Sequence, residues 1–106
     1  MKPESWRVTT LVKATSVLQT PTFKKVVKKL KANQKKELDS AIKELMAKPT
    51  LGEQKKGDLS FLRVYKFKMN KQLMLLGYSF DDGTLILELM ALGSHENFYR
   101  DIKRVL

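Results

Sequence analysis

The sequence predicts an α+β fold: a helical hairpin packed on a small, mostly antiparallel sheet, in the order β-α-α-β-β-β-α. Three observations carry this prediction. Apolar residues recur at helical spacing twice between positions 20 and 48. Three strand-like runs separated by turn signals follow position 60. At 106 residues the chain has room for one domain and one core.

The elements follow in order. Residues 1–14 carry Trp6, Val8, Leu11 and Val12 without clear periodicity and are set apart as an N-terminal arm. Residues 15–106 form the single domain. Thr15 to Thr20 reads as a short β-branched strand. Thr20-Pro21 is a helix start, a capping hydroxyl followed by proline at the first helical position. Phe23, Val26, Val27 and Leu30 then mark one helical face, and Lys24, Lys25, Lys28, Lys29 and Lys31 the other. Asn33 reads as a second cap, before Leu38, Ala41, Ile42, Leu45 and Met46; Pro49 ends that helix.

Leu51 to Ser60 is a loop containing Gly52 and Gly57. Phe61 to Met69 and Gln72 to Phe80 are strands, the second apolar at nearly every position and therefore central. Asp81-Asp82-Gly83 reads as a tight hairpin turn in which Asp-Gly supplies positive φ. Leu85 to Leu92 is the last strand, Gly93-Ser94 breaks it, and Glu96 to Arg104 closes the chain as a helix. With two helices on one side of the sheet, the opposite face is expected to be free for a site.

Composition narrows the function. No apolar run reaches the roughly 20 residues of a membrane span, and the start of the chain lacks the apolar block of a secretory signal; the expected compartment is the cytoplasm, away from membranes. There is no cysteine, hence no thiol nucleophile or cysteine metal site. Lys and Arg number 21 against 11 acids, a net charge of +10, and so basic a domain attracts polyanions. The excess is mostly lysine, which suits phosphate contact more than base reading.

Parity locates the charge. Along Phe61 to Met69, Tyr65, Phe67 and Met69 share the face that should meet the helices, and Val64, Lys66 and Lys68 share the other. Two lysines that close repel each other, which makes sense if a phosphate lies over them. The lone histidine, His95, leaves the last strand where its turn can approach that face. Tyr99 falls one helical turn further on. Histidine moves protons near neutral pH, lysines stabilise charge developing on a phosphate, and a tyrosine ring can stack on a base.

These stretches together resemble the RelE/ParE superfamily of toxins from bacterial type II toxin–antitoxin systems. The resemblance runs through Lys55-Lys56-Gly57-Asp58-Leu59, Arg63-Val64-Tyr65-Lys66-Phe67-Lys68, Leu92-Gly93-Ser94-His95-Glu96-Asn97-Phe98-Tyr99 and Lys103-Arg104, and covers Val17 to Leu106. It implies a RelE-like fold and a metal-independent endoribonuclease without cofactor that cleaves mRNA on the ribosome. Lys66, Lys68, His95 and Tyr99 would be catalytic, with Lys55, Lys56, Arg63 and Lys71 in RNA binding. The partners it implies are mRNA, the ribosome and a cognate antitoxin, acidic and partly disordered. In one respect the sequence departs from the pattern. RelE-type enzymes carry an arginine on the central strand, where Leu73 to Leu76 are apolar here. Lys71 and Arg63 are the candidate substitutes, although parity turns Arg63 toward the helices. Two alternatives stay open: a ParE-like inhibitor of DNA gyrase, and a nucleic-acid-binding module without activity.

Overall fold

The computed structural model describes residues 16–81 and 83–105. The N-terminal arm therefore lies outside the described residues, as do Asp82 of the second hairpin turn and the side chains of Lys103 and Arg104. The described chain runs β1 (Ser16–Gln19), α1 (Pro21–Lys28), α2 (Ala32–Ala47), β2 (Glu53–Gln54), a single 3-10 turn (Gly57–Leu59), β3 (Arg63–Met69), β4 (Gln72–Asp81), β5 (Ile86–Gly93) and α3 (His95–Val105). The expected α+β class and element order hold, with the two-residue β2 added.

The sheet order is β1-β5-β4-β3-β2. Among the described strands only the β1–β5 pair is parallel, Val17 opposite Leu87 and Gln19 opposite Leu89. Thr20 ties that pair to α1. Its hydroxyl accepts from the Phe23 amide at 3.2 Å, capping the helix, and donates to the Met90 carbonyl at 3.0 Å. The α2 cap differs from expectation. Lys31 holds that place, its main-chain N–H donating to the Gln34 side chain at 2.8 Å, and Asn33 lies inside the helix.

The turns also differ from expectation. Asn70 and Lys71, at φ 53° and 67°, form the tight two-residue turn that closes β3 on β4 through the Met69–Gln72 pair. Among the described residues of the β4–β5 connection, positive φ falls on Leu85, at 57°, and not on Gly83. Asp81 helps shape that loop by accepting from the Gly83 amide at 3.0 Å.

Helices α1 and α2 cover one face. Phe23, Ile42 and Leu45 are buried there against Leu76, Tyr78, Leu87 and Leu89. The opposite face is not free, contrary to the expectation from helix count. α3 crosses it and buries Phe98 and Ile102 against Leu62, Val64, Leu75 and Ala91. The lack of a side chain at Gly77 makes this possible. A Cβ there would meet the Phe98 ring at 2.6 Å, closer than any van der Waals contact. What α3 leaves uncovered is a strip at the hairpin end of β3 and β4.

Candidate functional site

The strip is built from β3, β4 and the start of α3, with β2 bordering it at the far end of β3, beside Arg63 and Val64. Lys66 lies opposite Leu75, and Leu75 lies opposite Gly93 on its other side. Neighbouring strands are about 4.8 Å apart, so Lys66 and Gly93 are roughly 10 Å apart across the sheet. His95 opens α3 two residues after Gly93. Lys68 lies one row nearer the hairpin, opposite Leu73, which is 47% exposed. Cross-strand partners project to the same face, so Lys66, Lys68 and Leu73 stand together in the open.

α3 adds two rings. His95 and Tyr99, one turn apart, meet edge to face with centroids 5.9 Å apart. Tyr99 meets Phe98 in the same manner at 5.0 Å, which ties its ring to the core under α3. His95 is exposed and Tyr99 half-buried.

β2 brings the next charges. Lys55 Nζ lies 5.9 Å from the Tyr99 ring centroid and 3.0 Å from Glu53 Oε1. The Glu53 carboxylate, then the Tyr99 hydroxyl, hold the Lys55 ammonium above its ordinary pKa. The Glu53 carboxyl is held below its ordinary value, first by the hydrogen bond from Lys55 and then by its charge, with smaller help from Lys66 and Lys56. One carboxylate thus sits among three lysines beside Tyr99.

The sequence-derived residues divide accordingly. Lys66, Lys68, His95, Tyr99, Lys55 and Lys56 are gathered around this strip. Arg63 is not: its guanidinium donates to the Gly52 carbonyl at 2.8 Å and the Thr50 carbonyl at 3.3 Å. It clamps the loop before β2 together with Tyr78, whose hydroxyl donates to the Pro49 carbonyl at 2.7 Å and accepts from the Gly52 amide at 2.8 Å. Lys71 sits exposed in the tight turn beyond the Lys68–Leu73 row. Neither cation stands in the place of an arginine on the central strand. Sequence reasoning missed Glu53. Its spacing of two from Lys55 puts both on one side of an extended segment, but two residues are too few for a strand to show as a pattern.

Residues 17–103 match the family described as ParE-like toxin of type II bacterial toxin–antitoxin system. No curated protein matches the chain by sequence. Among solved structures, a double mutant of the E. coli toxin RelE in the free state is similar in fold. The TM-score is 0.64 at 20% identity, over 85% of this chain and 96% of that one.

Proposed function

The chain belongs to the ParE-like toxins of type II bacterial toxin–antitoxin systems, and on that premise we propose that it is an endoribonuclease that cleaves mRNA on the ribosome, in the cytoplasm. Its family implies a cognate antitoxin as partner. The observation that carries the nuclease reading is the gathering of His95, Tyr99 and the exposed Lys66–Lys68 pair on one open strip. An inhibitor of a protein target needs no proton-transfer group beside a phosphate-sized patch of positive charge.

In this reading Lys66 and Lys68 hold the scissile phosphate and offset the charge that builds on its oxygens. His95 takes the proton of the adjacent 2′-hydroxyl. That oxygen attacks phosphorus, the bond to the 5′-oxygen breaks, and a cyclic phosphate end remains. The departing 5′-oxygen takes its proton from a lysine ammonium of the pair. Tyr99 stacks on a base, and Glu53 fixes Lys55 against it.

Single-turnover cleavage of mRNA on programmed ribosomes tests this. His95→Ala should slow the chemical step by roughly 10²–10⁴-fold and leave binding nearly intact. Cleavage at close to the wild-type rate would mean that the proton-transfer role is misassigned. The second reading is gyrase inhibition, favoured by the ParE-like family description and by the apolar stretch Leu73 to Leu76 where RelE-type enzymes are expected to carry an arginine. It predicts growth arrest that survives both His95→Ala and Lys66→Ala, with gyrase supercoiling blocked and RNA intact.

A further inference from the structure

A second concavity lies away from the strip, at the start of β3. It has a volume of about 210 Å³ and is lined by Thr50, Gln54, Ser60, Phe61, Arg63 and Phe80. Pockets that enclose drug-sized ligands run to roughly 300–1,000 Å³, so this one suits a single ring system. Register sets it on the other side of the sheet. Arg63 lies opposite Tyr78, which belongs to the core under α1 and α2, whereas Lys66 and Lys68 face the α3 side.

Arg63 dominates the chemistry of this pocket. Its Nη1 donates to the Gly52 carbonyl at 2.8 Å and the Thr50 carbonyl at 3.3 Å. Its Nη2 reaches Gln54 Oε1 at 3.5 Å, the outer limit of a hydrogen bond. A guanidinium carries five N–H groups. One on Nη2 and the one on Nε are left by these contacts, and the two nitrogens share one edge of the planar fork. All three acceptors are neutral, so the group is fixed in place without its charge being offset by them.

The surroundings are aromatic and already positioned. Phe61 is 40% exposed, so its ring is open to a ligand. Phe80 packs on the core beneath. Gln54 is held by donating from Nε2 to the Ser60 carbonyl at 3.0 Å, and the loop before it hangs from the Tyr78 hydroxyl through the Gly52 amide. A ligand would therefore meet two parallel donors beside an aromatic ring, with little reordering of the protein.

We propose that this pocket binds a guanine base of single-stranded RNA, with its N7 and O6 on the free edge of Arg63 and its ring on Phe61. Guanine presents two neighbouring acceptors there, whereas adenine sets an amino donor beside N7 and cytosine presents an amino donor. Bases splayed out of single-stranded RNA are bound in this way, stacked on an aromatic ring and bonded along the Hoogsteen edge. The net charge of +10 brings RNA to the surface without selecting a base. A phosphate or a carboxylate could use the same edge of Arg63, but would leave the exposed ring of Phe61 without a role. The pocket is a separate contact, takes no part in bond cleavage, and does not rest on the nuclease reading.

NMR titration of the ¹⁵N-labelled full chain with mononucleotides of equal charge tests this. GMP should shift the Arg63 Nε–H, the Gln54 side-chain amide and the Phe61 amide, and should bind roughly tenfold or more tightly than AMP. 7-Deaza-GMP, which lacks the N7 acceptor, should lose most of that advantage. Phe61→Ala should weaken GMP about fivefold or more, with the remaining amide spectrum unchanged because the ring is exposed. Arg63→Lys keeps the charge and removes the fork, and should bring GMP and AMP to equal affinity. Because Arg63 also holds the loop, the Gly52 amide is watched in that variant; if it moves, Phe61→Ala and 7-deaza-GMP decide. Equal binding of GMP, AMP and 7-deaza-GMP would overturn the proposal. So would the same shifts at Arg63 on adding ribose 5-phosphate or acetate, which would make the pocket an oxyanion site, or shifts confined to Lys66 and Lys68. Cleavage enters none of these readouts, so loss of the nuclease reading would leave the result standing.

Discussion

Under α1 and α2 the sheet is sealed: Phe23, Ile42, Leu45, Leu76 and Tyr78 are all at 0% exposure. On the other face a single helix covers part of the surface, and next to Phe98, also at 0%, Lys66 and Lys68 stand in solvent. The first face follows one rule, apolar burial at strand and helix period. The second alternates between core and charge along the same strand, Val64 buried and Lys66 and Lys68 exposed. A strand that changes partners along one face, from helix to solvent, is where a site can be held rigidly and still reached.

Removing Phe98 attacks the comparison hardest. Phe98→Ala empties the contact between α3 and Gly77, Leu62 and Val64, and should cost about 3–5 kcal/mol. Urea unfolding measures it. A loss under about 1 kcal/mol would mean that α3 is a surface appendage and that the two faces differ more than described here. Tyr78→Phe tests the joint between faces, where the loop carrying Glu53 and Lys55 is hung from the sealed side. It leaves the Gly52 amide and Pro49 carbonyl without their partner and should cost about 1–3 kcal/mol, again by urea unfolding. The Glu53–Lys55 pair should lose its fixed geometry in the same variant.

Lys66→Ala sharpens the charged side. The lysine touches no core, so stability should change by no more than about 0.5 kcal/mol. The slope of log binding constant against log salt for single-stranded RNA should fall by about 0.7. An unchanged slope would take Lys66 out of the phosphate contact. The smallest effect belongs to Tyr65 on the sealed side's margin. Its hydrogen bond to Glu44 pushes its pKa up to about 12, with burial second. Because the folded pKa lies above the ordinary value of 10, the contribution is fully present below pH 10 and lost as pH rises through 12. Tyr65→Phe should flatten that part of the alkaline stability curve, and equal slopes in the two proteins would remove the role.

Most of the helical hairpin was legible because period and cap agree there. Phe23, Leu38, Ile42 and Leu45 lie where helical spacing puts them, and Thr20 caps as its chemistry suggests. Parity along β3 was legible too, since one strand with a Lys-x-Lys pair has two faces and the helices choose one. The RelE/ParE resemblance rested on short pieces whose order survives in the fold. Asn33 misled because a good capping residue was taken for the cap, whereas a glutamine reaching back to Lys31 closes the turn. The Asp-Gly turn misled because a longer loop spreads its bend and moves the strained residue to Leu85. The covered second face was hidden for a different reason. Its key, Gly77 beneath the Phe98 ring, joins residues that no local pattern connects.

The parallel pair β1–β5 joins the beginning of the described chain to its end. The Thr20 hydroxyl that caps α1 also holds the Met90 carbonyl, 70 positions away. During synthesis at 5–20 residues per second, β1 therefore waits roughly 4 to 14 seconds before the strand it pairs with exists. Until then β1 has no partner strand, although β3 and β4 can already pair beneath α2, and His95 and Tyr99, which come after β5, have not been made. Such long-range closure also slows folding itself. The strip that holds Lys66, Lys68, His95 and Tyr99 is thus assembled only after β5 and α3 have been made.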